Sequence, residues 1–410
     1  MSRPSNLLAT LLITLSSTAV LSADPLPASS GFGLDGMAPA GHWAARLTLL
    51  HNGYTEKFDN QGRTVDFDTG VNGVALDSAV FPALAAFGSG ATLGTVALDT
   101  RISTAFTELM LGYGVTENLT AGFILPWAQT RTKARFSVNG GNVGFNPTFN
   151  PALPIDMANF PFAPVGGSIT PLGTAGVQEL LTNPAFGYAY QPITSTTTSG
   201  FSDPTVGALW RFHRSEKESA VLGMGVRFGV ADEDDPDNLL DVPVSGGATT
   251  LRTRLEYFRD LGAGFDLRLM AEHLAQLPDE IILRIPAPGA LLAPAASKEK
   301  LKRNLGDYQE YDVELGYSWG DWRTSATWHR YQKPADKYVS RLGTNTAALE
   351  ANTETLADQL RIGVTWSGVK AWQAGKIPLP LIVKLEMQDA FDGQNFVKVR
   401  DFYLRVTSFF

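Results

Sequence analysis

The chain has 410 residues, 44% of them hydrophobic and 18% charged, with no cysteine and a formal net charge of −8. The absence of cysteine excludes disulfides and thiolate metal sites, and the acidic balance argues against nucleic acid as a partner. Forty glycines and 24 prolines require many turns.

The N-terminus reads as a secretory signal peptide, residues 1–23. Arg3 supplies the positive charge, and Leu7 to Leu21 supplies an apolar core too short for a comfortable transmembrane helix. Ser22 and Ala23 are the small residues before cleavage. Residues 24–41 are expected to form a periplasmic N-terminal segment, and 42–410 a single outer-membrane β-barrel domain. No other stretch is long and apolar enough to span a membrane as a helix.

From residue 42 onward the dominant signal is period-two alternation. It predicts twelve strands, at 42–56, 100–114, 118–136, 203–213, 218–231, 248–259, 264–282, 308–319, 321–335, 357–367, 379–391 and 396–410. Compact links near 115–117, 214–217, 260–263 and Gly320, with a longer one at 368–378, alternate with long segments. The long segments are 57–99, 137–202, 232–247, 283–307 and 336–356, and 392–395 is the one short link on that side. Segments 57–72 and 186–196 each have room for a further strand. The fold class expected is all-β: a transmembrane antiparallel up-and-down β-barrel of about 12 strands, with short periplasmic turns and long extracellular loops.

The strands divide into two faces. Tyr311, Val313, Leu315, Tyr317 and Trp319 oppose Glu310, Asp312, Glu314 and Ser318. Trp322, Ala326 and Trp328 oppose Arg323, Ser325, Thr327 and His329. A soluble sheet also alternates, but here nearly every strand needs the same apolar partner layer, and lipid supplies it. Trp43, Tyr113, Phe212, Tyr257, Phe265, Trp319, Trp322 and Trp366 gather at the short-turn ends, as an interfacial aromatic girdle does. The last strand closes on Phe410, with Val406, Leu404 and Phe402 at alternate positions. That ending resembles the signal read by the barrel-assembly machinery of Gram-negative bacteria.

The polar face places Arg46, Glu108, Arg211, Arg227, Arg252, Arg254, Glu256, Arg268, Asp312, Glu314, Arg323, Arg361, Lys384, Glu386 and Arg405 along the lumen. Two readings stand: a salt-bridged lattice that fills a narrow barrel, and a polar wall along a permeation path. The arginines from 211 to 254 are expected to form a basic strip across three adjacent strands, suited to an anion. The proline-rich segment 137–202 and the apolar run of Val80, Phe81, Leu84 and Phe87 either gather a hydrophobic ligand, fold inward as a constriction, or cap the barrel against lipopolysaccharide. The acidic run Asp232, Glu233, Asp234, Asp235 and Asp237 lacks calcium-loop spacing and reads as a solvated loop. Five histidines form no zinc motif, and no nucleophile elbow, phosphate loop or dinucleotide fingerprint occurs. No cofactor, metal or catalytic residue is expected.

The run Gly200-Phe201-Ser202-Asp203-Pro204-Thr205-Val206-Gly207-Ala208-Leu209-Trp210-Arg211-Phe212, a polar turn, and Val221-Leu222-Gly223-Met224-Gly225-Val226-Arg227-Phe228 follow one another. This hairpin resembles that of the outer-membrane family associated with meta-pathway phenol degradation, itself loosely like the channels for long-chain fatty acids and aromatic hydrocarbons. Pro204 stands where that family usually has a small aliphatic residue. Asn183-Pro184-Ala185 lies in a late loop, not in a near-N-terminal hatch. The resemblance implies a bacterial outer-membrane channel for small hydrophobic or aromatic compounds, which is the leading expectation. A structural or surface-binding barrel is the alternative, and an outer-membrane lipid enzyme a third. Expected partners are outer-membrane lipid and lipopolysaccharide, the barrel-assembly machinery and a small-molecule substrate.

Overall fold

The computed structural model describes residues 37–150, 152–154, 159–231 and 234–410. The expected signal peptide and residues 24–36 lie outside the described residues, as do Asp232 and Glu233.

Period-two alternation resolves into twelve antiparallel strands that close on themselves, with one further strand outside the ring. The strands are β1 (Trp43–Tyr54), β2 (Thr95–Thr116), β3 (Leu119–Asn139), β4 (Thr205–Arg214), β5 (Glu218–Arg227), β6 (Thr250–Gly262), β7 (Phe265–Gln276), β8 (Tyr308–Trp319), β9 (Trp322–Lys333), β10 (Thr355–Ser367), β11 (Leu381–Gln394) and β12 (Arg400–Phe409). Each pairs with its neighbour in sequence, and β12 returns to β1 to close the ring. Phe410 and Trp43 exchange backbone hydrogen bonds of 2.7 and 3.0 Å at the seam. No described helix is long and apolar enough to cross a membrane.

The outward face is apolar. Trp43, Phe123, Trp127, Trp210, Leu255, Phe265, Leu315, Trp319, Trp322, Ile362, Leu385 and Phe402 are all exposed large hydrophobics. At the short-turn end Trp43 packs on Tyr113 at 5.1 Å, Phe265 on Tyr317 at 4.7 Å, and Trp319, Trp322 and Trp366 are cross-strand neighbours. Exposed rings in a belt are costly against water and favourable at a lipid interface.

Three expected strands fall short at their loop ends by four residues or more, and β2 begins five residues earlier than expected, at Thr95. The strand expected to continue to 282 ends at Gln276, because Pro278 has no N–H to donate to the ladder. The chain then leaves the wall, and Asp279–Arg284 pairs with Lys298–Asn304 and that with Lys337–Val339 in a small sheet beyond the rim. β5 stops at Arg227, and β12 begins at Arg400. Of the two segments with room for a strand, 57–72 holds Thr64–Asp66, which joins Glu56–Phe58, whereas 186–196 only reaches the first residue of Thr196–Phe201, the strand outside the ring. That outer strand covers Trp127 to Thr132 of β3, while β4 covers Leu119 to Ile124. The line between them breaks at Ser202-Asp203-Pro204. Asp203 there accepts the backbone N–H groups of Val230 and Ala231 at 2.9 and 3.0 Å, holding the end of β5.

The long segments are built, not loose. Phe81, Leu84, Val143, Phe162, Val177 and Leu180 share one buried cluster drawn from residues 71–98 and 136–193. Val96 and Val138 belong to this cluster and lie opposite each other near the far ends of β2 and β3. They have the same strand parity as Glu108, Met110 and Ile124, which line the lumen. The pairing of β2 with β3 runs without a shift above Gly114, so the cluster packs on the inner face of the hairpin and caps the mouth. Much of the apolar surface of these segments is spent on one another, while Phe145, Leu153 and Val165 stay exposed.

Candidate functional site

Inside the ring lies a cavity of about 640 Å³, within the range that holds a small molecule. Its wall is two-sided, and the strand order explains why. From β2, β3, β4 and β5 the inward positions are mostly apolar or glycine: Met110, Gly112, Gly122, Ile124, Gly207, Leu209, Gly223 and Gly225. The glycines are required here. A Cβ on Gly122 would fall 2.3 Å from the Leu111 carbonyl oxygen, and one on Gly207 2.5 Å from that of Met224. Glycine allows these strands to approach closely and curve, and it leaves free space on the lumen side.

From β6 through β12 the inward positions are charged. Arg268 lies 3.0 Å from Glu256 and from Asp312. Arg323 bridges Asp266 at 2.5 Å and Glu314 at 2.6 Å. Glu386 receives Lys384 at 2.5 Å, Arg405 at 3.0 Å and Arg361 at 3.4 Å. Arg252 pairs with Glu272 at 2.7 Å, and Arg254 with Glu256. His329 bonds Asp312 at 2.7 Å, and Thr327 donates to Glu314 at 3.0 Å. Burying charge is tolerable only with such pairing.

Several of these pairs are unevenly buried. The side chains of Glu386 and Asp312 are 0% and 2% exposed, against 32% for Arg254 and 26% for Arg405. Arg254 and Arg405 are thus the more open members of their pairs, while Arg323, at 4%, is as buried as the Glu314 it bonds.

Of the residues placed in the lumen by sequence, Arg46, Glu108, Arg252, Arg254, Glu256, Arg268, Asp312, Glu314, Arg323, Arg361, Lys384 and Arg405 line the cavity, and Glu386 stands behind its cations. The basic strip from 211 to 254 does not form. Arg211 lies at the short-turn end, where its Nη1 donates to the Glu117 carbonyl at 2.9 Å. Arg227 lies at the other end of the adjacent strand, bonded to the Tyr308 hydroxyl at 3.0 Å. Adjacent antiparallel strands place their ends at opposite rims, so nearness in sequence did not mean nearness in height. The acidic run is also not simply solvated: Asp237 pairs with Arg284 at 2.6 Å and Lys298 at 2.5 Å. Burial works against its ionisation, yet hydrogen bonds from Lys298 and Arg284 hold its carboxyl below the usual range.

Sequence reasoning missed two contributors. The glycines at 207, 223 and 225 stand in the sequence, but that they form one wall follows only from the closed ring. The segment at 37–41, expected to be periplasmic, enters the barrel's turn end. Met37 is buried against Val221 and Phe258, and the Ala38 N–H donates to Thr120 Oγ1 at 3.0 Å. Ala40 bridges to Gly114, where a Cβ would meet the Pro39 oxygen at 2.0 Å.

No family model matches the chain, and no curated protein matches its sequence. Among solved structures it is similar to an outer-membrane channel from Pseudomonas putida F1, at 10% identity and a TM-score of 0.53, over 95% of this chain and all (100%) of that one. Weaker likenesses, below the level of a shared topology, are to the Ralstonia pickettii toluene transporter TbuX (9% identity, TM-score 0.36, 92% and 90% of the two chains) and to a Pseudomonas aeruginosa FadL homologue (11%, 0.35, 94% of each). The chain therefore has the fold of an outer-membrane channel barrel.

Proposed function

We propose that this protein is a bacterial outer-membrane channel that admits small, hydrophobic or aromatic molecules, with the short turns in the periplasm and the cap outside. The observation that carries this reading is the cavity inside a ring whose outer face is apolar. The fold shared with an outer-membrane channel supports it, as does the low charge of the β2–β5 wall, along which an apolar molecule loses no hydrogen bonds. Phe402, Leu404, Val406 and Phe410 act as the assembly signal. Arg101, Arg131, Lys133 and Arg135, outward on β2 and β3 above Trp127, contact lipopolysaccharide.

A non-transporting barrel is favoured by two features, the cap over the mouth and the Met37–Gly41 segment in the turn end. Conductance of the mature chain in planar bilayers separates the readings. A channel conducts, and conducts more when Gly114→Val expels the N-terminal segment or when residues 141–194 are replaced by a short linker. Silence in all three forms decides for the structural barrel.

A further inference from the structure

The two walls of the cavity make different demands on a permeant. Against the glycine wall an apolar ring or chain packs without displacing side chains. Against the opposite wall a neutral molecule would strip water from guanidinium heads and give nothing back. The lining carries eight lysine and arginine side chains against six carboxylates, a balance that favours an anion over a cation.

Arg46 sharpens the point. It projects from β1 into the same space as Arg254 of β6 and Arg405 of β12. It has no ion pair among the described residues. Its Nη2 meets only the Met110 sulfur at 2.9 Å, and its Nε is buried with no hydrogen-bond partner. Glu108 stands nearby on β2, but not within ion-pair distance. The charges of Glu108, Arg405, Arg254 and Glu256 all act on Arg46, although β6 lies far from β1 around the ring. Three guanidinium groups thus face one lumen region, one of them unmatched. A planar fork of donors with no carboxylate within ion-pair distance fits a ligand carboxylate well.

We propose that the lumen binds small amphipathic carboxylates, aromatic or short aliphatic acids, with the apolar body on the glycine wall of Gly112, Gly122, Gly207 and Gly225 and the carboxylate on Arg46, Arg254 and Arg405. This deepens the channel reading and rests on it for its biological use, while the binding site stands on its own geometry.

The test uses the mature chain refolded in detergent and in planar bilayers, with benzoate, benzyl alcohol and benzylammonium as probes. Benzoate is expected to interrupt the potassium chloride current at about tenfold lower concentration than the other two. Arg46→Gln is expected to remove about that factor, the worth of a charge-assisted hydrogen bond, and Arg46→Lys to restore part of it. Arg46 makes no ion pair, so heat-modifiable gel migration of the variants should match wild type. A conducting barrel on which the three probes act alike overturns the proposal and leaves the channel reading intact. If the barrel is silent, calorimetric binding in detergent decides. Benzoate binding weakened by Arg46→Gln upholds the site and rejects the channel. No benzoate binding rejects the site.

Discussion

Glu386 accepts three cations at once, from its own strand and from both neighbours. Alternation alone places it in the lumen beside Lys384, but it does not say which charges meet. In the register Glu386 lies opposite Gly363 and Tyr403, so Arg361 and Arg405 reach it diagonally. Gly363 makes room for this: a Cβ there would lie 2.9 Å from the Lys384 side chain. Glu386→Gln should leave Arg405 without its carboxylate and Arg361 and Lys384 with only longer contacts, to Asp312 at 3.7 Å and Glu314 at 3.9 Å, and cost about 3 kcal/mol, the low end of the usual loss on breaking a buried pair from one side. The midpoint of urea unfolding in lipid vesicles measures it. Glu280→Gln, beyond the rim and paired with Lys300 at 58% exposure, should change the midpoint little.

At the scale of elements, the cap is held by one side chain to a degree that its loop setting conceals. Arg284 donates to Asp237 and to the carbonyls of Tyr188, Ala189 and Ala293, and lies 3.9 Å over the Tyr190 ring. Tyr190 in turn donates to the Ala293 carbonyl at 2.7 Å. Three segments far apart in sequence are joined there. Arg284→Ala should open the cap to protease between 184 and 195 while leaving the barrel folded, and limited proteolysis followed by gel analysis reads both. Asp237 gives this joint a pH dependence. Its pKa is depressed in the folded state, so its contribution is complete above the ordinary aspartate value of about 3.9 and is lost as pH falls through the lower folded value. Protection of the 184–195 stretch should therefore fall below about pH 4, and Asp237→Asn should show the weaker protection at neutral pH already. Sequence marked these segments as long and apolar and left a cap as one of three readings, without showing what holds it. They carry no period, and their partners lie in other loops.

Over the whole molecule, the outer surface divides by height. On β3 the outward positions run Phe123, Leu125, Trp127, then Arg131, Lys133 and Arg135. With about 3.4 Å per residue, Arg131 stands about 14 Å beyond Trp127. Arg101 of β2 lies directly opposite Lys133. Like charges opposite one another on a sheet destabilise it unless an anion sits between them, and under the proposed orientation the phosphates of lipopolysaccharide would supply one. Replacing Arg101, Arg131 and Lys133 by glutamate should reduce the lipopolysaccharide that copurifies with the barrel, scored by silver-stained gel or phosphate assay. An unchanged amount assigns the patch to bulk solvent.

Alternation and turn composition carry the architecture in the sequence itself. A strand that meets lipid on one face and a polar lumen on the other must alternate along its whole length, and that signal is local. For this reason the strand at 308–319 is found with its ends unchanged, and Trp319 and Trp322 fall at the short-turn rim. The tertiary structure alone decided the rest. Ion-pair partners depend on register, the depth of carboxylate against guanidinium depends on rotamers set by neighbouring strands, and the entry of Met37 depends on an opening left by glycine. None of these is carried by a stretch of chain in isolation. The free space beside the glycine wall is a property of the closed ring, since it exists only where β2 to β5 curve to face the charged strands across the lumen.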